Sequence, residues 1–326
     1  RATPKSHFVR EAVQTSKAVK APVKVIWTRE DDIHGGYYRP ASYHAISGGL
    51  DANGMALAWK HRIVCQSIVR GTPFEGLIKN GIDHTSVEGA ADSPYEVPNF
   101  FVDYQEAPAG VPVLWWRSVG HSFNAFVKES FVDELAHAAG KDPYQFRRRL
   151  LVNHPRVRGV LDFAAQKANW GSPSAPGLSQ GIAVHESFGS LAAQVAEVSV
   201  TPAGVIKVHK VVCAIDCGRV VNPDTIEAQM QSAIVFGLTA ALYGAITFKN
   251  GRVEQSNFDT YEMLRMREMP VVEVYIMPSE ESPGGIGEPG VPPIAPAVAN
   301  AVFAATGARL RRLPMTTEMV RQAMEV

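Results

Sequence analysis

The sequence predicts an α+β fold built from two mixed subdomains. Helical and strand patterns come in groups, without the regular alternation that builds a doubly wound parallel sheet. A length of 326 residues is enough for two domains with separate cores. Hydrophobic residues at 46% against charged residues at 20% describe a folded globular chain.

The elements follow from local pattern. HFVREAVQTSKAVK places Phe8, Val9, Ala12, Val13 and Val19 on roughly one helical face, close to Arg1. VKVIW, Val23 to Trp27, is β-rich and predicts a strand. YHAISGGLDANGMALAWKHRIV predicts two strands joined at Asp51-Ala52-Asn53-Gly54, with Asn-Gly as the turn signal. Ser67 to Leu114 is rich in Gly, Pro and Asn and predicts long loops with short strands; loops this long in a compact protein usually line a site or an interface. SFNAFVKESFVDELAHAAG predicts a helix, with Phe123, Val127, Phe131 and Leu135 every fourth residue and Gly140 as its stop. Asp142-Pro143 caps and opens a second helix through Arg149, and a third runs from near Val160 to Trp170. The loop GSPSAPGLSQG then divides the chain into parts 1–172 and 173–326.

Beyond it, GIAVHESF, AQVAEVSV and VIKVHKVVCAI predict strands, the last two joined by a Pro-Ala-Gly turn. PDTIEAQMQSAIVFGLTAALYG predicts a long helix opened by Pro223. AITFKNGRVE predicts a hairpin on Asn250-Gly251, VVEVYIM a strand, and two helices finish the chain.

Composition narrows the function. Lys plus Arg equals Asp plus Glu at 32 each, so charge favours neither nucleic acid nor an anionic membrane as partner. The longest apolar run, Ala233 to Phe248, is shorter than a membrane span and contains two glycines. Three cysteines cannot build a disulfide framework, and Cys213-x3-Cys217 lacks a second pair for a metal. They read as buried small hydrophobes, and no metal-ligating residue is assigned.

Three segments look like chemical motifs. SPGGIGEPGVPPIAPA contains Gly285-Ile286-Gly287-Glu288-Pro289-Gly290, a G-x-G-x-x-G pattern. A dinucleotide-binding turn joins a strand directly to a helix. Here PSEESP intervenes after Met277, Pro289, Pro292 and Pro293 resist a helix until near Pro296, and a carboxylate would repel phosphate. In the competing reading the glycines permit close approach to a ligand and the prolines stiffen a loop presenting Glu288. Such a poorly solvated carboxylate has a raised pKa and can act as a base near neutrality; a solvated surface glutamate is the plainer alternative. GLSQG matches a nucleophile elbow at Ser179, but it precedes a strand, and no histidine lies beyond His209. WWRSVGHSFNAF sets Arg117 beside Gly120 at a helix start, a good anion or oxyanion site. The plainer reading packs Arg117 on Trp115 or Trp116. His121 reads as a helix-cap histidine, and Arg147 to Arg149 as a solvated helix face.

Taken together, WWRSVGHSFNAFVKESFVDELA, DCGRVVNPDTIEAQM and GGIGEPGVPPIAPAVANAVFAATG resemble the molybdopterin-binding subunit of the xanthine oxidase family. VKVIWTREDDIHGGYYRP fits its isoquinoline 1-oxidoreductase β-subunit and membrane aldehyde dehydrogenase branch, so the resemblance runs from near Arg1 to the last helix. It implies the molybdenum-cofactor-binding fold, with Glu288 as catalytic base and Arg117 orienting substrate and steadying negative charge. It also implies that Gly120, Gln229, Gly287 and Gly290 border the cofactor, molybdenum with molybdopterin cytosine dinucleotide. Gln231-Ser232-Ala233 stands where the family usually has two glycines, which leaves close packing there open.

The implied reaction is hydroxylation of a small aldehyde or N-heteroaromatic substrate with water as oxygen source. The implied electron path runs through 2Fe-2S clusters on an iron–sulfur subunit, because no cysteine pattern here could bind them, with a cytochrome c as candidate acceptor. A family Gly-Gly-Gly-Phe-Gly segment and a Gln-Gly segment would fall before Arg1. The chain is therefore expected to be the C-terminal half of the molybdenum unit, completed by a companion chain. The branch favours a periplasmic or membrane-associated location. The rival reading is a non-catalytic structural or assembly half, against which the retained Glu288 argues.

Overall fold

The computed structural model describes residues 6–172 and 175–325. In chain order, helices α1 (His7–Val19) and α2 (Arg29–Gly35) precede strands β1 (Ser42–Leu50) and β2 (Ala56–Cys65). A single helical turn, α3 (His84–Val87), and β3 (Asn99–Glu106) lead to α4 (His121–Ala138), α5 (Pro143–Leu150) and α6 (Pro155–Lys167). Then come β4 (Ser179–Ser187), β5 (Ser190–Val200), β6 (Ile206–Asp216) and α7 (Pro223–Leu242). The short hairpin β7 (Phe248–Lys249) and β8 (Arg252–Val253) is followed by β9 (Val271–Ile276), α8 (Ile294–Thr306) and α9 (Thr317–Met324).

Local chemistry sets most boundaries. The Asp142 carboxylate accepts from the Gln145 amide at 2.9 Å, capping α5 with Pro143 in its first turn. Asn222 caps α7 in the same way through the Thr225 amide at 3.0 Å, again with proline next. The turn between β1 and β2 uses Gly54 at φ 67°, a left-handed position that suits glycine. β1 pairs antiparallel with β2, and β3 adds to β2 in parallel.

The second sheet, in the order β4-β5-β6-β9, is the spine of the molecule. Ala192, Ala196, Val211, Cys213 and Ile215 face a core shared with α7 and α8, including Met230, Ile234 and Val298. The alternate residues Leu191, Ala193, Val195, Val212 and Ala214 face a second core with α4, α5 and α6, including Val132, Phe146 and Leu161. Burial on both faces explains why these strands read as nearly continuous apolar runs. That second core draws side chains from both sides of residues 172 and 173. The expected division falls on a loop whose residues 173 and 174 lie outside the described residues. Among the described residues no helix is long and apolar enough to cross a membrane.

Three expectations change. Val23 to Trp27 forms no strand; α2 follows it, opened by a capping box between Thr28 and Asp31. The α6 helix starts at Pro155, upstream of the expected Val160, because proline is at home in a first turn. The Arg147–Arg149 run is a solvated face only in part: Arg149 is exposed and Arg148 half-buried, but Arg147 is not. Arg147 is fully buried, its Nε donating to Glu129 at 2.9 Å, while Tyr95 donates to the same carboxylate at 2.9 Å. A pair so buried is strongly destabilising when one partner is lost, by about 3–5 kcal/mol. The apolar face of α1 is formed as expected, but Phe8, Val9, Val13 and Val19 are exposed.

Gly181 of β4 lies where α8 crosses the sheet. A Cβ there would collide with the Ala301 amide and the Ala297 carbonyl and come within 2.8 Å of Ala301 Cα. Backbone cannot yield as a flexible side chain can, so Gly181→Ala is expected to destabilise the fold by about 1–3 kcal/mol. A urea unfolding midpoint equal to that of the parent protein would contradict this packing.

Candidate functional site

Three segments far apart in sequence meet at one place. They are the turn Arg117–Gly120 before α4, the first half of α7, and the loop from Ser282 to Val291 that joins β9 to α8. The loop is anchored by backbone: the Gly284 amide donates to the Cys217 carbonyl at 2.9 Å and the Gly285 amide to the Phe188 carbonyl at 2.7 Å. Gln194, buried in β5, donates to the Gly290 carbonyl at 2.8 Å. The Gly285-to-Gly290 pattern therefore sits in neither a strand-to-helix turn nor a left-handed bend, as none of its glycines has positive φ.

The glycines serve contact. A Cβ on Gly284 would collide with the Gly189 carbonyl, and one on Gly290 would stand 2.8 Å from Ala233 Cβ. This resolves the Gln231-Ser232-Ala233 departure. Ala233 is fully buried, and Gly290 makes the room that a glycine on α7 would otherwise provide. Gly287 differs: nothing lies within 4 Å of the position its Cβ would take.

Arg117 clamps the site. Its Nε and one terminal nitrogen donate to the Gly287 carbonyl at 2.8 and 2.5 Å. The same terminal nitrogen reaches Gln229 Oε1 at 3.2 Å, and the other reaches Ser232 Oγ at 3.2 Å. One planar cation thus ties α7 to the loop. It does not pack on tryptophan; its guanidinium lies 5.6 Å from the Phe236 ring, while Arg39 stands 4.4 Å over Trp116. Next to it, the Ser118 amide donates to Glu288 Oε1 at 2.9 Å, and Ser118 Oγ donates to the Glu288 carbonyl at 2.7 Å. Ser118 and Val119 both hold left-handed backbone, at φ 70° and 45°. For a β-branched valine this is a strained conformation, worth about 1–3 kcal/mol, and it persists because these bonds fix it.

Thus Glu288, Arg117, Gln229, Gly287 and Gly290 converge, and Gly120 closes the turn. Sequence reasoning missed Glu88. Its Oε1 accepts from the Gly120 amide at 2.9 Å, and burial, joined by Asp92, Asp83 and Glu288, pushes its pKa up to about 7. The only hint in sequence was an acidic residue abutting a glycine within the long loop region. His121 begins α4 but is no simple cap: it is buried, and its Nδ1 lies 2.9 Å from His185 Nε2. Burial lowers its pKa to about 4. Ser179 merely opens β4, and the buried cysteines are free thiols. Among the described residues, no group of three His, Cys, Asp or Glu side chains is gathered for a metal.

Residues 8–151 and 161–270 match two families, each described as a molybdopterin cofactor-binding domain. The chain belongs to the molybdopterin-binding subunits of the xanthine oxidase family. It is 32% identical to a membrane-bound aldehyde dehydrogenase (pyrroloquinoline-quinone) of Gluconacetobacter polyoxogenes, over 98% of this chain and 45% of the relative. Isoquinoline 1-oxidoreductase subunit beta of Brevundimonas diminuta is also 32% identical, over 94% of this chain and 40% of that subunit. The chain therefore spans less than half the length of these relatives. Quinoline 2-oxidoreductase from Pseudomonas putida 86 shares the fold with a TM-score of 0.82 at 12% identity, covering 96% of this chain and 65% of that one.

The residues suit the family's cofactor. A molybdopterin group needs backbone that it can approach closely and donors for its oxygens. The open space over Gly287 supplies the first, with the Arg117 guanidinium and the Gln229 amide beside it.

Acid sensitivity follows from His121. Its folded pKa lies below its unfolded value, so its contribution to stability is present above about pH 6.5 and is lost as pH falls toward 4. Between pH 7 and pH 5 the parent protein should lose about 2 kcal/mol relative to His121→Gln, read from urea midpoints at each pH. Parallel curves for the two proteins would contradict a neutral buried His121.

Proposed function

We propose that this chain is part of a molybdenum hydroxylase that oxidises an aldehyde or an N-heteroaromatic ring, with water as the source of oxygen. The observation that carries this reading is the Glu288 carboxylate, fixed through Oε1 by the Ser118 amide beside a guanidinium and an open glycine. When bound, the molybdenum group supplies the oxygen transfer and accepts two electrons. The chain supplies proton handling and position. With Oε1 held, the carboxylate's range of orientations is narrowed, which favours Glu288 taking a proton from the attacking oxygen. Arg117 places a fixed positive charge beside negative charge that develops on the substrate, and its bonds to Gly287 and Gln229 stop it from collapsing onto Glu288.

The cytosine dinucleotide form of the cofactor and its sharing with a companion chain extend this reading. A companion subunit is supported by two relatives that are themselves named as subunits. An iron–sulfur subunit carrying 2Fe-2S clusters would take the electrons onward, with a cytochrome c as further acceptor and a periplasmic or membrane-associated site of action.

Glu288→Gln in the purified complex should lower kcat by about 10²- to 10⁴-fold, the usual worth of a general base, while molybdenum content stays at the parent level. Parent-level turnover in this variant would remove Glu288 as the base. A parent complex free of molybdenum would favour a structural half instead.

A further inference from the structure

We propose that Glu88 is a positioning residue for Glu288: a second carboxyl, held by the same strained turn, whose charge sets the field in which Glu288 works. This rests on Glu288 being the base proposed above. The geometry is specific. Within four residues, the Ser118 amide donates to Glu288 Oε1 and the Gly120 amide donates to Glu88 Oε1, each at 2.9 Å. Between them stand the left-handed Ser118 and Val119, so neither amide can turn without disturbing the other.

The surroundings are shaped around this contact. A Cβ on Gly120 would strike the Thr85 carbonyl and stand 3.0 Å from Glu88 Cγ. Gly89, at φ 78°, lets the chain after Glu88 pass against the histidine pair. Its Cβ would stand 2.7 Å from both His121 Nδ1 and His185 Nε2. On the other side, Glu88 Oε2 lies 3.8 Å from His121 Nε2, and the Glu88 side chain is only 12% exposed. Asn124 of α4 fixes the backbone by donating to the Glu88 carbonyl at 2.9 Å.

The charges that face Glu88 are mostly negative. Asp83 and Asp92 lie on its own segment and Glu288 lies across the turn. His121 of α4 and His185 of β4 are buried and held neutral, which leaves Lys128 of α4 as the buried cation in their field. Burial and these carboxylates together bring Glu88 to ionise near pH 7. Below that pH the neutral acid secures the turn without adding charge. Above it, a second anion stands across the turn from Glu288 and adds to the negative field in which Glu288 takes a proton.

Two measurements on the molybdenum-containing complex test this. Infrared titration should show a buried carboxylic acid that ionises near pH 7, is missing in Glu88→Gln, and moves to lower pH in Glu288→Gln, where the like charge is gone. In kcat/KM profiles, the ratio of parent to Glu88→Gln should rise about threefold or more as pH passes through 7, because glutamine keeps an acceptor for Gly120 but cannot ionise. A cap that only supports structure would lower the whole profile by a constant factor. Parallel profiles, or an infrared midpoint unmoved in Glu288→Gln, would overturn the proposal. The Glu288→Gln arm leaves Glu88 unchanged and reads the coupling without catalysis, so it decides even where Glu88→Gln fails to fold. Parent-level turnover of Glu288→Gln would instead refute the base while leaving the coupling measurable.

Discussion

The contact between the Arg117–Gly120 turn and the Glu288 loop is the constraint on which the site depends. Left-handed backbone at Ser118 and Val119 is unfavourable by itself, and it is held by bonds to residues some 170 positions away in sequence. The exchange is mutual. The turn fixes the direction of the Glu288 carboxylate, and the loop's Gly287 carbonyl accepts from the Arg117 guanidinium. Neither segment has regular secondary structure that would hold its shape alone.

The sheet makes this possible. β5 sends Gln194 to the Gly290 carbonyl, the chain after β6 receives the Gly284 amide, and the turn between β4 and β5 receives Gly285. Gln194 in this sheet and Cys217 just after β6 are buried, so two of the three anchor points are held by its core. A loop without helix or strand therefore inherits rigidity from the element beneath it. The segment from Pro283 to Pro293 is accordingly rich in prolines and glycines, with Gly284 and Gly290 closely packed.

Most elements were legible because their signals are local. Asp142-Pro143 and Asn222-Pro223 announced two helices, and Asn-Gly pairs announced the β1–β2 and β7–β8 hairpins. The failures share a cause. Val23 to Trp27 has β-rich composition but no partner strand to pair with, and the Thr28–Asp31 capping box nearby was the better signal. Arg147 looks like a surface charge until Glu129 and Tyr95 are brought to it by tertiary packing. At the site, the Gly-Glu-Pro loop and the Arg-x-x-Gly turn were each readable, but their direct bond was not. Glu88 was invisible because its meaning comes wholly from the neighbours that bury it.

The central claim is that Arg117 and its turn hold the Glu288 loop in place. Amide hydrogen exchange in Arg117→Met tests it most directly. Exchange should quicken at Ser118, whose amide is bonded to Glu288, and at Val291, whose amide donates to the Glu288 carbonyl at 3.0 Å, while β5 and β6 stay protected. Unchanged protection at Ser118 and Val291 would show that the loop stands without the clamp and would contradict the claim.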